Sequence, residues 1–151
     1  MIKKSENKRA QMNLSFGMIF SIILIIIFIV FAIYVIIKFL ELQDTLKIEQ
    51  FLKDFQNDID TMWKSPQGSR EVSYSLSAKI TSVCFSDDEF QNLGFTSENI
   101  IPGRNINNLN IEKIIEDKNP FCIENEKGKL KLIISKNYGE MLVTVEKNNE
   151  L

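Results

Sequence analysis

The amino-acid sequence predicts an α+β chain in which a single N-terminal transmembrane helix extends into an amphipathic helix packed on a small antiparallel β-sheet head. Three observations predict it. Residues 16 to 37 form a run of 22 without a charge, most of them Ile, Phe, Val or Leu. After Gly17 there is no Gly or Pro until Pro66. Beyond Pro66 come short β-rich runs separated by polar segments that carry glycine. The chain has no histidine and only two cysteines, which removes most metal-hydrolase, catalytic-triad and zinc-ribbon chemistry at the outset.

The first element follows from length. At ~1.5 Å of helical rise per residue the uncharged run covers ~33 Å, enough to cross a hydrocarbon core of ~30 Å. Charge then sets the orientation. Residues 1 to 13 carry Lys3, Lys4, Lys8 and Arg9 against Glu6 alone, whereas 19 of the 20 acidic and 13 of the 18 basic side chains lie beyond Lys38. Positive residues stay on the cytoplasmic side, so the N-terminus is expected inside the cell membrane and residues 39 to 151 outside it. A cleaved secretory signal has a shorter apolar region, ~7–15 residues, followed by a small-residue cleavage site. Here Tyr34, Val35, Ile36, Ile37 and Lys38 close the run, which favours an uncleaved anchor. The expected organisation is a basic cytoplasmic leader at 1–13, a transmembrane helix at 14–38, an amphipathic juxtamembrane helix at 39–64 and a β-rich extracytoplasmic head at 65–151.

The helix is expected to run on past the membrane because nothing breaks it before Ser65-Pro66-Gln67-Gly68. Ile48, Phe51, Leu52, Phe55, Ile59, Met62 and Trp63 recur at spacings of three and four and fall on one face. Leu42 and Leu46 lie well off that face. Either the helix breaks near Asp44 and Thr45, or those leucines meet a different partner. In the head, Val72, Tyr74 and Leu76 alternate with polar residues as in a half-buried strand, and residues 80 to 85 continue it or form a second. Residues 86 to 120 are Asn-rich and read as a decorated loop with a short helix at 110–117. Three further β-rich runs, at 121–124, 130–135 and 141–146, are separated by segments of hairpin length, which predicts a three-stranded antiparallel meander covered by the apolar face of residues 48 to 63. Cys84 and Cys122 both fall outside the membrane, where an even pair in an oxidising compartment invites a disulfide. The chain-entropy model values that closure at ~4 kcal/mol. The alternative is two buried free thiols.

Residues able to carry chemistry do not assemble into a motif. Asp58 and Asp60 sit two apart on the expected helix and point in different directions. Asp87-Asp88-Glu89 lacks the alternating ligands and internal glycine of a calcium loop. Ser65, Ser69, Lys64 and Lys79 lie close in sequence, and serine with lysine hydrolyses amides without histidine, but their spacing matches no catalytic arrangement. The reading is a non-enzymatic protein with no catalytic residue, no cofactor, no metal and no small-molecule substrate. An acidic head with scattered lysines argues against nucleic acid, and the basic residues 3 to 9 suit the inner leaflet. Expected partners are the lipid bilayer and either a second copy of the chain or another membrane or envelope protein. Gly17-Met18-Ile19-Phe20-Ser21 is a small-xxx-small element, with Gly17 and Ser21 as the positions where a second helix could approach.

Lys8-Arg9-Ala10-Gln11, placed directly before the hydrophobic run, resembles the class III signal peptide of archaeal type IV pilin-like proteins. The chain is also similar to small membrane-anchored archaeal proteins of unknown role. The pilin-like resemblance implies a cut between Ala10 and Gln11 by a membrane peptidase on the cytoplasmic side, with the apolar helix kept on the mature protein. It further implies a long helix, apolar first and amphipathic later, beneath a β-rich head. Ser15 stands where bacterial members commonly carry an acidic residue. The expected function is that of a single-pass anchored extracytoplasmic protein, a structural or assembly subunit of a surface filament, found in extracellular filaments after processing. The alternative is a permanently anchored module whose head binds a protein or cell-envelope partner.

Overall fold

The computed structural model describes residues 16–97 and 100–148. In chain order the elements are α1 (Phe16–Lys64), β1 (Gly68–Ser75), β2 (Ile80–Phe85), β3 (Leu93–Ser97), α2 (Ile111–Ile114), β4 (Phe121–Glu124), β5 (Lys129–Lys136) and β6 (Thr144–Lys147). The chain is α+β, a long N-terminal helix with small antiparallel sheets. It divides into two compact units, the first ending at Glu41 and the second beginning at Leu42.

Within the first unit α1 is long and apolar enough to cross a membrane. All its large apolar side chains are exposed, Phe28 and Phe31 by more than half of their surface. A contiguous apolar surface of this extent is the mark of an interaction with lipid or protein. The Ser21 hydroxyl donates to the Gly17 carbonyl one turn earlier (2.8 Å), so the small-residue pair is satisfied within its own helix. Lys38 and Glu41 pair at 2.8 Å just past the uncharged run.

In the second unit α1 continues through Asp44 and Thr45 without a break, and Leu42 and Leu46 are exposed. Phe51, Leu52, Phe55 and Ile59 are buried, with Ile48 and Met62 packed at the margin of the same core. Trp63, on the face read as apolar, is partly exposed at the helix end. Pro66 follows the stop. There the Lys136 ammonium donates to the carbonyls of Trp63 (2.5 Å) and Ser65 (3.0 Å), a cation on the negative end of the helix dipole.

Two three-stranded antiparallel sheets share the core, in the orders β1-β5-β6 and β3-β2-β4. Val72 and Tyr74 of β1 face inward beside Leu130, Leu132 and Ile134 of β5, as a period of two requires. The strands at 121–124, 130–135 and 141–146 do not form one meander. β4 pairs with β2, in register Cys84↔Cys122, and β5 pairs with β1 and β6. The reason is polar as well as covalent. The half-buried Asn125 amide donates to the carbonyls of Ser77 (2.9 Å) and Ile80 (2.7 Å), fixing the end of β4 to the start of β2. Only the turn joins β4 to β5, closed by Glu126 and Lys129 around Lys127 and Gly128, both at positive φ. The stretch 86–120 also contributes a strand, β3, beside β2. Its short helix is confined to α2, capped by the Asn110 side chain, which accepts from the Lys113 N–H.

Candidate functional site

The residues of the expected leader site, Lys8, Arg9, Ala10 and Gln11, lie outside the described residues. Cys84 and Cys122 form a disulfide across β2 and β4, with α-carbons 4.0 Å apart. They occupy facing positions on adjacent antiparallel strands, the arrangement that brings two side chains closest. β4 lies at the edge of its sheet, so the bond staples an edge strand to the central one.

The α1 carboxylates that could have served chemistry are engaged in holding α1 to the rest of the second unit. Asp58 accepts from the Arg70 guanidinium (2.8 Å) and from the Tyr74 hydroxyl (2.6 Å). Burial, and then the Asp58 carboxylate, pushes the Tyr74 phenol far above its ordinary range, so Tyr74 stays protonated and acts as a donor. Asp60 accepts from Gln56 (2.9 Å) and Asn108 (3.0 Å), and the Gln56 side chain also accepts from the Asn107 N–H (2.9 Å). Asp58 and Asp60 therefore point to different partners, as their spacing predicted. Asp88 accepts from the N–H groups of Phe90 and Gln91 in a local turn. Ser65 donates to the Thr61 carbonyl, while Lys79 pairs with Asp44, so these two members of the serine–lysine set are not together. Among the described residues no group of three His, Cys, Asp or Glu side chains converges as a metal site would.

Asp44 is a connection that sequence reading missed. Its two oxygens take the Ser77 hydroxyl (2.8 Å) and the Lys79 ammonium (2.7 Å), tying α1 to the β1–β2 turn. Lys79 first, then Ser77, holds the Asp44 carboxyl below its ordinary value of 3.8. A carboxylate whose pKa is lower folded than unfolded contributes stability above the unfolded value, and that contribution is lost as pH falls through the folded one. Wild type is therefore expected to be more stable than Asp44→Asn at about pH 5, with the gap closing towards about pH 2. Thermal melts of both proteins at the two pH values check this, and a gap that ignores pH would overturn it.

Two clefts flank α1 in the second unit. One of ≈110 Å³ is lined by Asp58, Thr61, Met62, Ser65, Arg70 and Ile134. The other, of ≈270 Å³, lies between the Lys47, Gln50 and Asp54 side of α1 and the Ser73, Tyr74 and Ser75 stretch of β1. The larger cleft is of mixed character, with the Phe51 ring beside one cation and one anion, and runs beside the outer strand of its sheet. The hydrophobic pattern does not signal it, because Phe51 and Tyr74 at its floor read as core and its other residues are exposed polar ones of β1 and the flank of α1. Searches of family models, of curated proteins and of solved structures find no match to this chain.

Proposed function

We propose that this protein is a single-pass membrane-anchored extracytoplasmic protein that serves as a pilin-like structural or assembly subunit of a surface filament. One observation carries the reading. The single helix α1 begins as an exposed, uninterrupted apolar surface and ends as part of the core of a β-rich unit. The resemblance of Lys8, Arg9, Ala10 and Gln11 to a class III leader supplies the link to filaments, and the basic charge of residues 3 to 9 supports an inside N-terminus. The Cys84–Cys122 bond suits an oxidising space outside the membrane. In a filament the helices of many copies pack together, so the apolar run would serve first as anchor and then as assembly interface, with Gly17 and Ser21 as points of close approach. The head works by binding, without catalysis, since the acidic groups Asp44, Asp58 and Asp60 are engaged in joining its elements.

The test is intact-mass and N-terminal analysis of the protein from its native membrane under non-reducing conditions. A mature chain beginning at Gln11 is the expected result. A chain still beginning at Met1 would remove the filament role and leave a permanently anchored module that binds a protein or envelope component, a reading the cleft beside β1 favours.

A further inference from the structure

In the sheet β3-β2-β4 the side chains of Val83, Phe85 and Ile123 face the core, so the alternate residues of the three strands lie on the opposite face. The register arranges that face in two rows, Gly94, Cys84 and Cys122 in one and Thr96, Ser82 and Glu124 in the other. Both cysteines are half-buried there. Their two sulfurs are not equivalent. A disulfide sulfur carries no hydrogen, so a hydroxyl beside it is the donor. Thr96 Oγ1 lies 3.5 Å and Ser82 Oγ 3.7 Å from the Cys84 sulfur, and among the described residues no donor is placed in this way at the Cys122 sulfur. Cys84 stands on the central strand, whereas Cys122 stands on β4, which has no strand on its other side.

We propose that the Cys84–Cys122 bond is a directed thiol-exchange site, at which an external thiol is accepted on Cys122 and Cys84 is the leaving group. A thiolate breaks a disulfide by attacking one sulfur from the side away from the other, and the bond breaks faster the lower the pKa of the departing thiol. For Cys122 that side is the open edge of β4. For Cys84 it is the β3 side, where Gly94 faces it and an added Cβ would meet nothing within 4 Å. Both approaches are clear, so the leaving group decides. Hydrogen bonds to a thiolate lower its pKa, and the Ser82 and Thr96 hydroxyls become charge-assisted donors as soon as Cys84 departs as an anion. Glu124 alone of the six residues is charged; two positions along β4 from Cys122 and diagonal to Cys84, it favours neither. In the step itself the external thiolate forms a bond to the Cys122 sulfur, the bond between the cysteines breaks, and its electron pair leaves on Cys84. A dithiol partner completes the reduction when its second thiolate attacks its own bound sulfur and expels Cys122, the partner losing the two electrons that the cysteines gain.

The probe is mercaptoethanol, an uncharged thiol, at millimolar concentration and mildly alkaline pH, added to the purified full-length chain in detergent micelles. Samples are quenched with acid at early times, free thiols are capped with N-ethylmaleimide, and digestion with mass spectrometry maps each cysteine. The expected single adduct carries mercaptoethanol on Cys122 and the cap on Cys84, in at least tenfold excess over the reverse. Wild type alone decides the direction: an adduct mainly on Cys84, by the approach over Gly94, or an even division would overturn the proposal, as would a bond that exchanges only after urea unfolding. Ser82→Ala together with Thr96→Val is expected to slow the first exchange at least tenfold and to even out the division. Were the two hydroxyls merely structural, their loss would loosen β4 and speed the exchange, so an unchanged or raised rate also refutes it. Neither the leader nor the membrane anchor enters this inference, which therefore stands or falls separately from the filament reading.

Discussion

Replacing Phe55 by Ala is expected to destabilise the second unit by about 3–5 kcal/mol, the usual cost of emptying a fully buried aromatic site. Phe55 has no exposed surface, and its ring lies 5.6 Å from Phe51, 5.9 Å from Tyr74 and 6.0 Å from Phe85. Those three neighbours come from α1, β1 and β2, so the cavity would open where the helix meets both sheets. Against a total stability of ~5–15 kcal/mol for an ordinary domain, that loss is large enough to shift the folded population visibly. The measurement is urea unfolding of the full chain in detergent micelles, followed by near-ultraviolet dichroism of the aromatic cluster. Leu46→Ala, at an exposed position of the same helix, is the control and is expected to change stability by less than about 0.5 kcal/mol. Equal effects at the two positions would show that α1 does not pack on the sheets through Phe55.

Reduction of the Cys84–Cys122 bond, or joint replacement of both cysteines by Ser, is expected to cost about 2–4 kcal/mol. The two cysteines are 38 positions apart in the chain, and for a loop of that size the chain-entropy model gives ~4 kcal/mol as the upper figure. The consequence should be local before it is global. β4 has four residues, sits at a sheet edge and owes its place to the disulfide, to Asn125 and to its ladder with β2. Its backbone N–H groups are expected to lose protection from hydrogen exchange first, ahead of those in β5 at the centre of the other sheet. Unfolding midpoints with and without reductant check the magnitude, and coincident curves would refute it.

Much of this architecture was legible because it depends on periodicity. The uninterrupted helix followed from the missing breakers between Gly17 and Pro66, and its buried face from the spacing of Phe51, Leu52, Phe55 and Ile59. The alternation of Val72, Tyr74 and Leu76 marked β1 correctly, and the disulfide followed from parity and compartment. Periodicity does not say which strand pairs with which. The runs at 121–124 and 130–135 looked like successive strands of one sheet, yet β4 is drawn to β2 by the Asn125 amide and by Cys122, neither of which alters a hydrophobic pattern. β3 was hidden because Leu93-Gly94-Phe95-Thr96-Ser97 is short and holds a glycine.

The sheet order β1-β5-β6 also governs the timing of synthesis. β1 ends at Ser75, but its ladder partner is complete only at Lys136. A ribosome must therefore add some sixty further residues before this sheet can close, and the later cysteine of the disulfide also emerges long after the first. Until then the emerging chain has a finished apolar helix and an unfinished β1-β5-β6 sheet. A chain in that condition is still pliable, and it locks only once nearly all of it has been made.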